Sequence, residues 1–235
     1  MKTLTLGGVE FIFDLREGKD RAQSEDNRFI IVKSDALLSH YDTMKSRPPR
    51  DIMEVGVFQG GSMVYLDKLF SPQRIVGVDL KRDPIPALDS YISVNPQMKM
   101  YYARSQDKPG TLMAARENFP TGIDLVIDDA SHLYEPSRAT FEMLFPLVRV
   151  GGEYLIEDWA WSHRKNRQGP NATWHDKPAM TNLILELVIL ASARGAIDSV
   201  VVTSEFVSVR RGFGPLPKEM FDLSPYLRGR PMTVL

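Results

Sequence analysis

The sequence contains no cysteine. Disulfide bonds, thiolate metal sites and cysteine nucleophiles are therefore excluded, and any metal ion must bind to carboxylates or histidines. The chain also lacks a run of about 18 apolar residues, so no membrane span and no membrane partner are expected. Residues 1–30 lack the apolar centre of a signal peptide. We therefore expect a cytoplasmic protein.

The chain carries little excess charge of either sign. Its 235 residues include 29 Lys and Arg against 30 Asp and Glu, which leaves a net charge of -1. This balance argues against binding nucleic acid through bulk electrostatics, so no nucleic-acid partner is expected. Because 43% of the residues are hydrophobic, the chain can bury a full core. Its length suits one domain with modest additions.

The stretch DIMEVGVFQGGS, at residues 51–62, predicts a buried strand, a glycine-rich turn and the start of a helix. Gly56, Gly60 and Gly61 stand where the backbone turns sharply or where another group comes close. The helix predicted from Ser62 to Phe70 repeats apolar residues along one face. A strand, a glycine turn and a helix N-terminus together form a place to bind an extended, partly charged small molecule.

Strands and helices alternate after this stretch. The predicted strands are residues 74–79, 99–103, 124–128 and 153–157, the predicted helices are 111–118, 136–147 and 181–193, and a hairpin is predicted from 199–203 and 206–210. This order indicates an α/β fold. We predict a Rossmann-like, seven-stranded, mostly parallel sheet with helices on both faces and a C-terminal antiparallel hairpin.

Two regions stand apart from this alternation. Residues 1–50 form a predicted N-terminal extension, with an edge strand or hairpin arm at 9–13 and a helix over 29–46, before the chain is broken by Ser-Arg-Pro-Pro-Arg. We expect this extension to contact the substrate or a second subunit, and residues 51–235 to form the main domain. Residues 160–178 are polar and lack apolar periodicity, which predicts an active-site loop.

The spacing of the glycines excludes two common nucleotide sites. The dinucleotide pattern G-x-G-x-x-G requires glycine where Phe58 stands, and G-x-x-x-x-G-K-[ST] is absent. Asp79 ends the next strand about 20 residues beyond Gly56, where an acid in nucleotide-binding α/β folds takes two ribose hydroxyls. The pattern E-x-G-x-x-x-G-G followed by such an acid resembles the cofactor site of class I S-adenosylmethionine (SAM)-dependent methyltransferases. The cofactor contacts that this resemblance implies are Glu54, Gly56, Gly60, Gly61, Ser62, Asp79, Ser105, Gln106 and Asp128.

Acidic residues follow two successive predicted strands. Asp128 and Asp129 end one strand, and Glu157 and Asp158 end the next. In an open parallel sheet these ends share one edge, which is where ligands bind. Carboxylates that meet there repel one another unless a cation lies among them, and oxygen ligands favour a hard ion such as Mg²⁺. An Asp-Asp pair after a strand also fits a helix N-cap with a hydrogen-bonded turn, and this alternative stays open.

Three motifs together carry a more specific resemblance. E-V-G-x-x-x-G-G, I-D-D-x-S-H and G-G-x-Y-x-I-E-D are similar to those of the metal-dependent sugar O-methyltransferases of the macrocin and mycinamicin type, a group often labelled cephalosporin hydroxylase. The similarity covers residues 51–158. This chain departs from the pattern at Ala130, where glycine is usual. A hydroxylase is disfavoured, because non-haem iron requires two histidines and a carboxylate, and no H-x-D motif occurs.

The resemblance implies a reaction and the residues that perform it. Asp129, Glu157 and Asp158 would bind Mg²⁺, and His132 would act as the general base, a task for which histidine is suited near neutral pH. The implied enzyme is a Mg²⁺-dependent O-methyltransferase that moves the methyl group of SAM to a hydroxyl of a sugar or glycoside, and works as a homo-oligomer, a dimer. Two alternatives stay open: a methyltransferase of catechol-type small molecules, and a non-catalytic SAM-binding module.

Overall fold

A computed structural model describes residues 2–16, 21–192, 195–216 and 221–227. The strands are β1 (Lys2–Leu6), β2 (Val9–Phe13), β3 (Arg28–Ile31), β4 (Asp51–Val55), β5 (Arg74–Val78), β6 (Met98–Tyr101), β7 (Ile123–Asp128), β8 (Val148–Glu157), β9 (Ile197–Val202) and β10 (Phe206–Arg211). The helices are α1 (Asp35–Thr43), α2 (Gly61–Phe70), α3 (Pro86–Ser93), α4 (Pro109–Asn118), α5 (Tyr134–Leu144) and α6 (Thr181–Ser192). Within the described ranges, no helix is both long and apolar enough to cross a membrane.

A seven-stranded sheet in the order β6-β5-β4-β7-β8-β10-β9 forms the centre of the fold. The first five of these strands pair in parallel, and β10 pairs antiparallel with both β8 and β9. Successive residues of β4 point to opposite faces, so that Ile52 and Met53 belong to two different apolar clusters. Helices cover both clusters. The predicted Rossmann-like sheet with its C-terminal hairpin is confirmed.

The register of the central strands places the predicted acidic residues beside each other. Val55 of β4 pairs with Asp128 of β7, and Asp128 pairs with Ile156 of β8. The next residues along these two strands are Asp129 and Glu157. Since the strands are parallel, both carboxylates lie at the same edge of the sheet, beyond the strand ends.

The N-terminal residues form a second, three-stranded sheet. β1 pairs antiparallel with β2, which makes the residues at 9–13 a hairpin arm as predicted, and β2 pairs in parallel with β3. The helix predicted over 29–46 is wrong in its first part, because β3 occupies residues 28–31. The helix α1 begins only after Ser34, whose side chain caps it by accepting the Leu37 N–H.

The small sheet packs against α2 through a close backbone approach. A Cβ atom on Gly61 would lie 1.9 Å from the carbonyl oxygen of Ile30 in β3, which no side chain tolerates. Phe11 and Phe29 are fully buried and share one apolar cluster with Leu66 of α2. The N-terminal segment is therefore seated on the main sheet by packing.

One other part of the chain differs from the sequence-based expectations. The helix α3 lies between β5 and β6 and was not predicted; it begins at Pro86 and buries Leu88 and Tyr91. Proline is favoured in a first helical turn, so the proline-rich approach starts this helix rather than excluding it. The helix predicted over 181–193 is confirmed as far as Ser192, and residue 193 lies outside the described residues. Near the C-terminal end of the described residues, a short 3-10 helix occupies Ser224–Leu227.

Arg138 joins α5 to α6, and its removal is expected to destabilise the fold. Its Nε donates to Oε2 of Glu186 at 2.9 Å, and the Glu186 side chain is only 1% exposed. Arg138→Met leaves this buried carboxylate with the Tyr134 hydroxyl but without its bound cation. We expect the free energy of unfolding to fall by about 2–4 kcal/mol in chemical denaturation.

Arg210→Met is the matched control, because Arg210 and Asp198 are both about half exposed and lie 3.8 Å apart. A surface ion pair of this kind contributes at most about 1 kcal/mol to the free energy of unfolding. Equal losses in the two variants would contradict the structural role of Arg138.

Candidate active site

One cavity of about 810 Å³ runs along the carboxyl ends of the parallel strands. Gly56 and Asp79 line one part of it, and Asp129, His132 and Asp158 line another. The cavity thus connects the glycine turn with the acidic strand ends. A space of this size and shape suits a small-molecule ligand together with a second reactant.

The glycine turn brings the ends of β4 and β7 into contact. Gly56 has a φ of +88°, and a Cβ atom there would lie 2.2 Å from the carbonyl oxygen of Asp129. Asp79 holds the turn from the neighbouring strand, since its Oδ2 accepts the N–H groups of Val57 at 2.8 Å and Phe58 at 3.0 Å. The predicted cofactor residues Gly56 and Asp79 therefore form one wall of the cavity.

Four other predicted cofactor residues are absent from the cavity wall as the described residues form it: Glu54, Gly60, Gly61 and Ser62. A Cβ atom on Gly60 would meet the side chain of Leu88 at 2.8 Å, and Gly61 faces Ile30. Close packing accounts for these two glycines. Their role in binding a cofactor remains a prediction.

Ser105 and Gln106 both line the cavity, whereas Asp128 lies behind its wall. The Gln106 amide donates to Thr140 Oγ1 at 3.0 Å, and its Oε1 accepts the Ser131 N–H at 3.0 Å. Asp128 is buried, and this burial raises the pKa of its carboxyl to about 7. Gln106 therefore connects the start of α4 to the turn that carries His132.

Asp129, His132 and Asp158 each offer one ligand atom, and these atoms lie within 4.8 Å of one another. Carboxylate oxygens are the preferred ligands of hard divalent ions, and an imidazole nitrogen is tolerated by several metals. Asp129 and Asp158 therefore supply oxygen ligands that fit a hard divalent ion, and the His132 imidazole lies beside them. Glu157, the third predicted ligand, is engaged differently in this structure.

A lysine that the sequence analysis missed occupies the space between two of the predicted metal ligands. The Lys33 Nζ donates to Asp129 Oδ2 at 2.7 Å and to both oxygens of Glu157 at 2.7 Å. The Tyr41 hydroxyl donates to Glu157 Oε1 at 3.2 Å. Lys33 follows β3 and is only 5% exposed. Because a helix was predicted over residues 29–46, Lys33 was not identified as a site residue from the sequence. A strand at Arg28–Ile31 would have indicated that the chain enters the core here.

The single positive charge of Lys33 faces more than one carboxyl group. Burial disfavours its ammonium, but the carboxylates of Asp129 and Glu157 hold the pKa of Lys33 well above its usual value. Burial raises the pKa of the Glu157 carboxyl, and it raises that of Glu54 to about 7. Glu54 is fully buried, and its Oε1 lies 3.8 Å from the Lys33 Nζ. Three carboxyl groups therefore share one ammonium.

His132 is held by the loop that was predicted to belong to the active site. Its ring stacks on Trp161, with centroids 5.3 Å apart and planes 14° apart, and its carbonyl accepts the Trp174 indole N–H at 3.0 Å. The His132 Nε2 lies 3.9 Å from Asp129 Oδ1. The imidazole is thus fixed at the cavity wall beside the acidic strand end.

Three residues of the cavity wall have a left-handed backbone although they are not glycine. The φ angles are 54° for Phe58, 54° for His132 and 52° for Asp158. Such conformations persist only where the surrounding structure imposes them, and they are concentrated at functional sites. The strand ends are therefore shaped to aim these side chains at the cavity.

The sequence of this chain is similar to those of known O-methyltransferases. No protein-family model matches the chain. The chain is 31% identical over 172 residues to the L-olivosyl-oleandolide 3-O-methyltransferase of Streptomyces antibioticus, and 34% identical over 116 residues to the demethylmacrocin O-methyltransferase of Streptomyces fradiae. The chain is a homologue of these O-methyltransferases. The matched segments cover 68% and 46% of this chain, but only 40% and 27% of the two relatives.

A solved structure shows the same fold. The MycE methyltransferase of the mycinamycin biosynthetic pathway, in complex with Mg and S-adenosylhomocysteine (SAH), superposes with a TM-score of 0.58 at 24% identity. The match covers 78% of this chain and 51% of MycE. The resemblance to macrocin- and mycinamicin-type O-methyltransferases, stated above from three short motifs, is confirmed.

Proposed function

We propose that this chain is a SAM- and Mg²⁺-dependent O-methyltransferase that methylates a hydroxyl of a sugar or glycoside. The observation that carries the proposal is the single cavity in which Gly56 and Asp79 face the group of Asp129, His132 and Asp158. A methyl donor and a hydroxylated acceptor can meet in that space. The homologous O-methyltransferases support the reaction class, and one of them is named for a glycosylated acceptor, L-olivosyl-oleandolide.

SAM would occupy the part of the cavity beside the glycine turn. Gly56 lines this part of the cavity, and its φ of +88° and its close contact with the Asp129 carbonyl require glycine there. Asp79 Oδ1 accepts the Lys81 N–H at 2.7 Å and Oδ2 faces the turn, so the carboxylate is rigidly placed to receive ribose hydroxyls. When bound, SAM supplies a methyl group already activated by its sulfonium.

The divalent ion would be held by Asp129 and Asp158, with Glu157 as the third predicted ligand. Magnesium in this position would lower the pKa of a neighbouring sugar hydroxyl and fix its direction. The two carboxylates orient the acceptor with respect to the methyl donor, which is the main requirement when the methyl group is already activated.

His132 would take the proton of the attacking hydroxyl. Formation of the bond between the acceptor oxygen and the methyl carbon would break the bond between that carbon and sulfur, with SAH as the leaving thioether. The hydroxyl proton passes to the imidazole, whose orientation is fixed by Trp161 stacking and by the left-handed backbone at residue 132.

Trp161 lines the cavity next to His132, and the guanidinium groups of Arg164 and Arg167 lie over its ring at 5.0 and 4.7 Å. Charged and aromatic side chains therefore border the space proposed for the acceptor. We favour a glycoside because of the homologues, and a catechol-type acceptor is the alternative. A dimer and acceptor contacts from residues 1–50 remain predictions.

Asp79→Asn is expected to weaken SAM binding. The substitution replaces a charge-assisted hydrogen-bond acceptor by a neutral amide, a change worth about tenfold or more in affinity. Calorimetric titration with SAM measures the change, and Asp83→Asn, an exposed residue of the same connection, is the control. Because Asp79 also holds the turn at Val57, the melting temperature without SAM should be compared as well. Unchanged affinity in a folded Asp79→Asn protein would contradict the ribose role.

The proposed function is tested by offering labelled SAM with a panel of acceptors. We expect methyl transfer to glycosides with neighbouring hydroxyls and little transfer to catechols. Transfer to catechols alone would replace the sugar assignment by the alternative. Calorimetry with SAM serves as the second measurement, because SAM binding without transfer to any hydroxylated acceptor would indicate a non-catalytic binding module.

A further inference from the structure

The ammonium of Lys33 has the position and the contacts of a cation bound to the acidic strand ends. It donates to Asp129 Oδ2 and to both oxygens of Glu157, each at 2.7 Å, while 95% of the residue is shielded from solvent. Those oxygens belong to two of the three residues proposed to hold the divalent ion. An ammonium and a divalent ion at the same oxygens repel each other, and like charges repel strongly in a buried site, so the two cations compete for these carboxylates.

We propose that Lys33 is a built-in competitor of the divalent ion: it pairs with Asp129 and Glu157 in the metal-free protein and leaves them when the ion binds. This inference deepens the proposed function and rests on its metal site. The N-terminal segment, which lies outside the sequence motifs, would then control how tightly Asp129 and Glu157 bind the metal ion.

The carboxylates around Lys33 call for more positive charge than one ammonium supplies. Glu54, Asp129 and Glu157 surround a single charge of +1, and Oε1 of the fully buried Glu54 lies 3.8 Å from the Lys33 Nζ, beyond hydrogen-bonding distance. Buried charged groups are costly unless they are paired with opposite charge. A divalent ion at Asp129 and Glu157 would balance these charges better than the ammonium does.

The position of Lys33 in the chain allows it to leave. It lies in the short connection between β3 and α1, and its side chain is a flexible four-carbon stem. The neighbouring residue Val32 lines the cavity, so the cavity reaches the backbone next to Lys33. A change of side-chain rotamer toward that space would remove the ammonium without unpacking the small sheet.

Binding of Mn²⁺ to the whole protein, followed by electron paramagnetic resonance of the free ion, tests the inference. We expect Lys33→Met to bind Mn²⁺ about tenfold or more tightly than the wild type, because the ion no longer displaces charge-assisted hydrogen bonds. Lys33→Arg retains the charge and is expected to bind with nearly wild-type affinity. Lys2→Met removes an exposed lysine paired with Asp35 and is the matched control, expected to change nothing.

If Lys33→Met does not fold without metal, Lys33→Gln is used in its place. The glutamine amide can still donate a hydrogen bond to Glu157 and so stabilise the fold. This variant should also bind Mn²⁺ more tightly than the wild type. Equal or weaker binding in the folded neutral variants, with wild-type binding abolished by Asp129→Asn, would overturn the inference on Lys33 and leave the metal site intact. Absence of binding in both the wild type and the neutral variants would overturn the metal site and the inference together.

Discussion

Asp129→Asn is expected to lower the rate of methyl transfer by about 10³-fold or more while leaving SAM affinity within a few-fold of the wild type. Asp129 is the carboxylate shared by all parts of the site: it lies 3.9 Å from the His132 imidazole, offers a ligand atom to the group with Asp158, and borders the glycine turn through its carbonyl. Loss of its charge removes several kcal/mol of interaction with a divalent ion, and each 1.36 kcal/mol corresponds to about a tenfold change in rate.

The rate is measured with labelled SAM and a glycoside identified by the acceptor panel, and SAM affinity is measured separately by calorimetry. Asp42→Asn is the matched control, because Asp42 lies on the surface in a pair with Lys45, far from the strand ends in sequence and more than half exposed. A variant at Asp129 that transfers methyl groups at more than a tenth of the wild-type rate would contradict its central role.

His132→Ala is expected to reduce kcat by about 10²- to 10⁴-fold, which is the usual contribution of a general base. The KM for SAM should change little, because His132 lies in the acidic part of the cavity rather than beside Asp79. Removing the imidazole opens a space next to Trp161, on which the ring is stacked. Added imidazole can occupy that space, so we expect it to restore part of the activity.

Restoration of activity by added imidazole distinguishes a chemical role of His132 from a structural one. Imidazole should increase the activity of His132→Ala but not that of Asp129→Asn, in which the base is still present. If His132→Ala keeps more than half of the wild-type kcat, the ring only packs against Trp161 and another group accepts the proton.

The central part of the fold was predictable because it depends on local patterns. The strands β4, β5 and β7 and the last five residues of β8 are short, mostly apolar runs with glycine or an acid at their ends, and parallel strands necessarily bring their carboxyl ends to one edge. The proximity of Asp129 to Glu157 follows from that rule, and the register of β7 and β8 accounts for it. The common edge at which these strands end can therefore be predicted from the sequence.

The role of Lys33 could not be predicted because it depends on a distant contact. Its position follows from the seating of β3 against α2, where Gly61 lets the Ile30 carbonyl come close. The apolar residues of β3 fit a helix as well as a strand when they are considered alone. Two glycines of the turn, Gly60 and Gly61, were assigned to the cofactor for the same reason: their packing partners, Leu88 and Ile30, lie in elements that the motif does not include.

A single-turnover experiment tests the central claim most directly, namely that the acidic strand ends need a divalent ion to methylate a hydroxyl held at Asp129. The protein is mixed with SAM carrying a deuterated methyl group and a glycoside with neighbouring hydroxyls, and the acceptor is analysed by mass spectrometry. We predict a labelled methyl ether with Mg²⁺, none after treatment with EDTA, and full recovery when Mg²⁺ is added back. Equal labelling in EDTA and in Mg²⁺ would contradict the account.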